Sequence, residues 1–200
     1  MRLLRIGAVV LCLFSVVLVP AQAVAVNVAL NKTVTGSGAL SGTLSNIVNG
    51  VFLPEGTIWN SSSTVSWNGL TPYMTIDLGG TFTINSLIVQ ADNNDTYQVS
   101  YFNPGTQTWA VAWSVPAPMT YAGIETRGAV NGVAGQTDPY VLSTPITASM
   151  LQVSATSGDN MYAVSQVQAF GTVLPEPSAT LLLVSTGLGA MLVRRNRKTA

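Results

Sequence analysis

Tyr73-Met74-Thr75-Ile76-Asp77-Leu78-Gly79-Gly80 is the stretch whose reading decides the fold class. In an extended chain Met74, Ile76 and Leu78 fall on one face, because successive strand side chains point to opposite sides. Asp77-Leu78-Gly79-Gly80 then supplies turn chemistry. The same texture continues outward. Residues 96–102 alternate, with Tyr97, Val99 and Tyr101 against Gln98, Ser100 and Phe102, and Leu151 and Val153 alternate with Gln152 and Ser154. Residues 81–90 and 108–115 are further β-branched and aromatic runs, punctuated by Asn49-Gly50, Asn68-Gly69, Asn103-Pro104-Gly105 and Asn131-Gly132. No part of this region carries a helical period. Many short strands with frequent turns predict an all-β sandwich or barrel.

The predicted domain, residues 26–171, is long enough for one well-buried core. The whole chain of 200 residues is 48% apolar and only 8% charged, where about a quarter is usual. Its formal neutrality hides a segregation. Six of the eight basic residues lie at the ends: Arg2, Arg5, Arg194, Arg195, Arg197 and Lys198. Between them Glu55, Asp77, Asp92, Asp95, Glu125, Asp138 and Asp159 meet only Lys32 and Arg127, a net charge of −5. Such a surface does not attract phosphate backbones, which argues against nucleic acid as a partner. The single cysteine, Cys12, sits inside the leading apolar run. The mature domain is thus expected to lack disulfides and thiolate-bound metals.

Both ends read as export signals. Residues 1–25 have the layout of a cleavable signal peptide: Arg2 and Arg5, an apolar run over residues 6–19, Pro20, and the small-x-small sites Ala21-Gln22-Ala23 and Ala23-Val24-Ala25. Residues 172–200 mirror it. Leu174-Pro175-Glu176-Pro177 is rigid and extended, since proline fixes φ and restricts its predecessor. An uncharged segment over residues 178–193 is predicted to be a hydrophobic helix. At 1.5 Å per residue it reaches only about 24 Å, short of a hydrocarbon core of about 30 Å. Arg194, Arg195, Arg197 and Lys198 form a basic stop that stays cytoplasmic and places the domain outside. The arrangement of Pro175-Glu176-Pro177, short helix and Arg194, Arg195 and Arg197 resembles the PEP-CTERM sorting signal of Gram-negative bacteria. That resemblance implies export through the inner membrane and a membrane-anchored precursor held transiently by its helix. It further implies cleavage by an exosortase after signal peptidase has acted, with the product at the cell surface or outside the cell.

The order of the domain's motifs resembles the discoidin domain, the coagulation factor V/VIII C-type domain, which is a galactose-binding-like jelly-roll β-sandwich. Asn27-Val28-Ala29-Leu30-Asn31-Lys32-Thr33-Val34 is similar to that family's first strand. Ile47-Val48-Asn49-Gly50 with Trp59 beyond it, Tyr73 to Gly79 with Thr83-Ile84-Asn85, and Tyr97-Gln98-Val99-Ser100-Tyr101 follow in the family's order. Ala163-Val164-Ser165-Gln166-Val167-Gln168-Ala169-Phe170-Gly171 resembles its closing strand. The resemblance implies a structural calcium near Asn49 and Gln166. Both are neutral here, where calcium prefers charged oxygen ligands, so that site is expected to be weakened or lost. No other cofactor is implied.

Sugar-binding relatives use loop aromatics for stacking and polar loop residues for hydroxyl groups. By that standard Trp59, Asp92, Asn94, Arg127 and Tyr162 are the candidate ligand contacts, with Trp67 and Tyr121 as further aromatics. Residues 92–95 read either as a polar binding loop or, more simply, as a solvated hairpin tip. The chain has no histidine, which removes Ser-His-Asp chemistry and most catalytic zinc sites. Only a carboxylate pair of the glycosidase kind is left for catalysis. The expected function is a non-enzymatic surface or matrix module that binds glycan, such as exopolysaccharide. The alternatives are a purely structural matrix component and a carboxylate-dependent glycan-cleaving enzyme.

Overall fold

The computed structural model describes residues 25–119, 122–130 and 138–173. The segments expected to be a signal peptide (residues 1–25 in all but the last) and a sorting tail (residues 174–200), together with Tyr121 and the turn expected at Asn131-Gly132, lie outside the described residues. Within them the chain forms ten strands: β1 (Val26–Asn27), β2 (Thr33–Ser37), β3 (Leu40–Ser41), β4 (Val65–Asn68), β5 (Tyr73–Asp92), β6 (Thr96–Asn103), β7 (Thr108–Val115), β8 (Ile124–Arg127), β9 (Tyr140–Ser157) and β10 (Met161–Val173). One 3-10 helix, Leu44–Val48, is the only helix among them. All pairings are antiparallel. They link the strands in the order β3-β4-β10-β5-β9-β6-β7, with β1 on β10 and both β2 and β8 on β5.

The predicted alternation is present in β5, where Met74, Ile76 and Leu78 are buried and Tyr73, Asp77 and Gly79 exposed. The turn expected at Asp77-Leu78-Gly79-Gly80 is not a turn. β5 runs through it as an irregularity: the register against β9 shifts between Asp77 and Phe82, and Gly79 takes φ +70. Asp77 Oδ1 accepts the Gly79 N–H at 2.9 Å, so the side chain satisfies a donor that the ladder abandons. Register shifts of this kind bend long strands, and here β5, β9 and β10 carry the sheet around a single core. The expected first strand is also interrupted. β1 ends at Asn27, and a turn with Asn31 at φ +55 separates it from β2.

From Ser86 to Asp92 every residue of β5 is buried, on both faces. One face carries Leu87, Val89 and Ala91 into the main core. The other, with Gln90, lies beneath the loop that contains Leu53 and Glu55. This is why residues 86–90 read as a run and not as an alternation: a strand covered on both sides loses its period.

Gly171 marks a second constraint. It sits at the register shift beside Phe170, and a Cβ there would stand 2.3 Å from the Thr83 carbonyl oxygen. Gly171→Ala is expected to destabilise the domain by about 1–3 kcal/mol in urea unfolding, because backbone must move to admit the methyl group. A midpoint unchanged from the parent contradicts that close approach.

Candidate functional site

The turn between β5 and β6 brings Asp92, Asn93, Asn94 and Asp95 together, and β8 and the β9–β10 turn close over it. Residues 92–95 are not a solvated hairpin tip. Asp95 is completely buried and Asp92 nearly so. Asp95 Oδ1 accepts the Asp159 N–H at 3.2 Å, and its Oδ2 lies 3.2 Å from the Tyr97 hydroxyl. Asn94 Nδ2 donates to Asp159 Oδ2 at 2.8 Å, while Asn94 Oδ1 is buried with no hydrogen-bond partner among the described residues. Carboxylates in such a place need a cation, and Arg127 on β8 supplies it. Its side chain is fully buried, donates through Nη2 to the Asp92 carbonyl, and lies over the Tyr97 ring at 5.7 Å. Arg127 Nε and Nη1 are buried without hydrogen-bond partners among the described residues. Arg127 is therefore the internal countercharge of the domain and not a surface contact for ligand.

Burial pushes Asp95 up to about 6, with Asp92 and Asp159 adding like charge against the Asp159 N–H. Burial raises Asp92 as well. A carboxyl whose folded value exceeds its unfolded value holds its proton better when folded. Its contribution to stability is therefore fully present at low pH and lost as pH rises through about 6. The domain is expected to melt several degrees higher at pH 5 than at pH 7.5. A melting temperature that falls over that interval on acidification contradicts the buried placement of Asp95.

Tyr162 is also interior. Its ring lies 5.9 Å from Trp67 and 6.3 Å from Tyr97, and Trp67 and Tyr97 pack edge to face at 6.1 Å. These three rings form the aromatic floor of the core, so Tyr162 and Trp67 act in packing.

Trp59 has a different setting. It is half-buried and belongs to the loop over residues 51–64. Interior groups hold that loop in place. The Gln90 carboxamide, itself fully buried, accepts from Leu53 N at 2.8 Å and donates to Leu53 O at 2.8 Å and Thr126 Oγ1 at 2.9 Å. Its oxygen also accepts from the Ser165 hydroxyl at 2.8 Å. Glu55 Oε2 accepts from Thr126 N at 2.9 Å, Gly56 N donates to Ile124 O at 2.9 Å, and Thr57 pairs with Ile124. At the far end the Thr64 hydroxyl donates to the Trp59 carbonyl at 2.6 Å. Trp59 is thus presented by a loop with little freedom to lose.

Beside Trp59 lies a groove of about 270 Å³. Its walls are the β3–β4 pair, in which Leu40 faces Trp67 and Ser41 faces Ser66. Ala39, Ser41, Ser66 and Asn68 bring small uncharged groups to the rim, and Leu40 and Trp67 line the groove beneath. Trp67 Nε1 is buried without a hydrogen-bond partner among the described residues. Such a donor favours an added water or ligand oxygen.

Asn49 and Gln166 lie side by side. With the Gln166 carboxamide turned to satisfy its neighbours, Nε2 donates to Asn49 Oδ1 at 3.2 Å and to Asn46 O at 3.3 Å. Its oxygen then accepts from Gly50 N at 3.0 Å. Asn49 Oδ1 also accepts from Val51 N at 2.8 Å. An amide donor facing the two oxygens does not fit calcium. Chelator is expected to leave the melting temperature unchanged. Gln166→Glu is expected to lower it, because a carboxylate would then face two oxygens, and added calcium should restore it. A parent protein that loses stability in EDTA contradicts the amide clasp.

No protein-family profile matches the chain, and no curated protein matches it by sequence. Its shape does match solved structures. The fucolectin of Morone saxatilis (striped bass) serum superposes with a TM-score of 0.56 at 13% identity, covering 77% of this chain and 51% of the fucolectin. A Streptococcus pneumoniae fucose binding module gives a TM-score of 0.50 at 13% identity, over 73% of this chain and 95% of the module. The lectin domain of lectinolysin, complexed with Lewis B antigen, gives 0.50 at 15% identity, over 72% and 95%.

The fold is all-β and galactose-binding-like, the one these structures share.

At these identities the likeness concerns the fold alone, and this chain spans only about half of the fucolectin chain. On the galactose-binding-like frame, two aromatic candidates from the sequence line the groove, the half-buried Trp59 and the buried Trp67. Asp92, Asn94 and Arg127 belong instead to the buried polar cluster, and Tyr162 to the core. Sequence reasoning missed Ser41, Ser66 and Asn68, whose types are ordinary on any strand, and Gln90, which carried no motif at all. The one available signal for Gln90 was a polar residue inside an otherwise apolar run.

Proposed function

We propose that this chain is a non-catalytic glycan-binding module of the bacterial surface or extracellular matrix. The observation that carries the reading is a tryptophan-walled, uncharged groove on a fold shared with sugar-binding proteins. Flat aromatic surface beside hydroxyl and amide groups suits a sugar ring, which has an apolar C–H face and a hydroxylated edge. Against catalysis stands the placement of the carboxylates. Asp92 and Asp95 are buried and accept from the Asn93 and Asp159 backbone N–H groups, and Glu55 is engaged with Thr126.

The end segments give the route. Signal peptidase removes residues 1–25, and an exosortase cleaves near Pro175-Glu176-Pro177 while the short helix and its arginines hold the precursor in the membrane. Mass spectrometry of the mature protein from its own cell tests this, because both new termini are predicted: one near residues 23–26, the other near the Pro-Glu-Pro site. Retention of an intact tail overturns the exosortase step. Retention of the protein on immobilised exopolysaccharide tests the binding function, and failure to bind any polysaccharide overturns it.

One feature favours a purely structural role as the second reading. β7 is the sheet's last strand in its path, and it exposes Trp109 and Val111, with Trp109 against Phe102 at 5.5 Å. An uncharged apolar edge of this kind suits packing against other surface proteins.

A further inference from the structure

The groove beside Trp59 is also selective by charge. Among the described residues, none that lines it is ionisable. The domain around it carries seven acids and two bases, and neither base is available there. Arg127 is fully buried. Lys32 is placed over the Phe82 ring at 5.7 Å, beside Gly79, on the β2–β5 side of the sheet. A uronate, sulfate or other anionic sugar entering the groove would give up hydration and find no cation, within a domain of net charge −5. A neutral sugar meets none of these penalties. Its apolar face can lie on the Trp59 indole, and its hydroxyls can reach the Ser41 and Ser66 hydroxyls and the Asn68 carboxamide oxygen. Asn68 Nδ2 is already committed to the Asn160 carbonyl at 3.0 Å, which orients that amide.

We propose that this groove binds the rings of an uncharged polysaccharide and excludes anionic ones, with Trp59 as the stacking platform. The proposal rests on the glycan-binding reading and narrows it to a substrate class and a residue. A groove of about 270 Å³ takes about one ring at a time, so useful retention comes from repeated neutral units along a polymer.

Affinity electrophoresis of the full-length chain in mild detergent tests it, with dextran, galactomannan and laminarin as neutral polymers and alginate and polygalacturonate as anionic ones. Retardation is expected in at least one neutral gel and in neither anionic gel, and it should be insensitive to added salt, because no ion pair forms. Trp59→Ala is expected to weaken retardation by about tenfold or more. Ser41→Glu changes an exposed rim position without touching the core and should abolish it, which keeps the test open if the tryptophan variant folds poorly. Trp109→Ala, at the opposite end of the strand order, should leave retardation unchanged. Salt-sensitive binding to the anionic polymers alone overturns the neutral-sugar proposal and leaves glycan binding standing. Neutral binding that survives both Trp59→Ala and Ser41→Glu overturns the site. Absence of retardation in every gel overturns the glycan-binding function itself.

Discussion

Arg127→Met is expected to lower the stability of the domain by about 3–5 kcal/mol, the usual consequence of leaving buried carboxylates without their cation. Folded domains have only about 5–15 kcal/mol to lose, so the variant should be partly unfolded at physiological temperature. Met fills a similar volume, which separates the loss of charge from the opening of a cavity. The acids at stake are Asp92, Asp95 and Glu125, whose negative charge in turn favours the charged form of Arg127 against the burial that lowers its pKa. Arg127→Lys should rescue little. An ammonium on a flexible stem cannot reproduce a planar guanidinium that donates to the Asp92 carbonyl and lies over Tyr97. A second readout separates charge from packing. Without the cation Asp95 and Asp92 hold their protons still more tightly, so acidification from pH 7.5 to pH 5 should recover more stability in Arg127→Met than in the parent. Urea unfolding at the two pH values measures both effects. A loss below about 1 kcal/mol at pH 7.5, or no added gain at pH 5, would show that Arg127 is not the countercharge.

Gln90→Leu is expected to cost about 2–4 kcal/mol and to loosen the Trp59 loop. The substitution is close to isosteric, so the packing of β5 survives. What is lost is the partner of Leu53 N and of Leu53 O, while Thr126 Oγ1 keeps Glu55 and Ser165 Oγ keeps the residue-90 carbonyl. Unpaired buried donors and acceptors carry penalties of about 1–3 kcal/mol each, and the loop recovers part of this by opening to water. That recovery is itself measurable. Amide exchange at Leu53 and Gly56 should accelerate, while amides in the middle of β5 stay protected. Sugar affinity should fall as well, because a mobile Trp59 must be ordered again on binding. Unchanged exchange at Leu53 would mean that the loop is held by Glu55 and the Thr57–Ile124 pairing without help from Gln90.

The candidate residues show how far one sequence reaches. The strands were legible wherever one face is buried and the other wet, as in Tyr73 to Leu78 and Tyr97 to Phe102. They were not legible as alternation in residues 86–92, where a loop covers the second face. Trp59 was recognisable as a candidate by type, and the groove it lines was not, since Ser41 and Ser66 are neighbours only through the β3–β4 register. Arg127 and Tyr162 misled for one reason. A charged or aromatic residue in a strand-and-loop protein reads as surface chemistry until its burial is known.

From sequence alone come the β texture of Tyr73 to Gly79, the charge segregation between ends and middle, and the expectation of an export segment at each end. Each is a property of local period, composition or spacing, which needs no third dimension. Tertiary structure decided that Asp77 to Gly80 is a bend within one long strand, because Gly79 and the Asp77 carboxylate keep the chain in the sheet. It also decided that the acids of residues 92–95 face inward, because Arg127 waits there, 32 residues further along the chain than Asp95. The uncharged groove is likewise a product of the fold. Its rim joins residues 39–41, 59 and 66–68, and only strand pairing and a pinned loop bring them to one place.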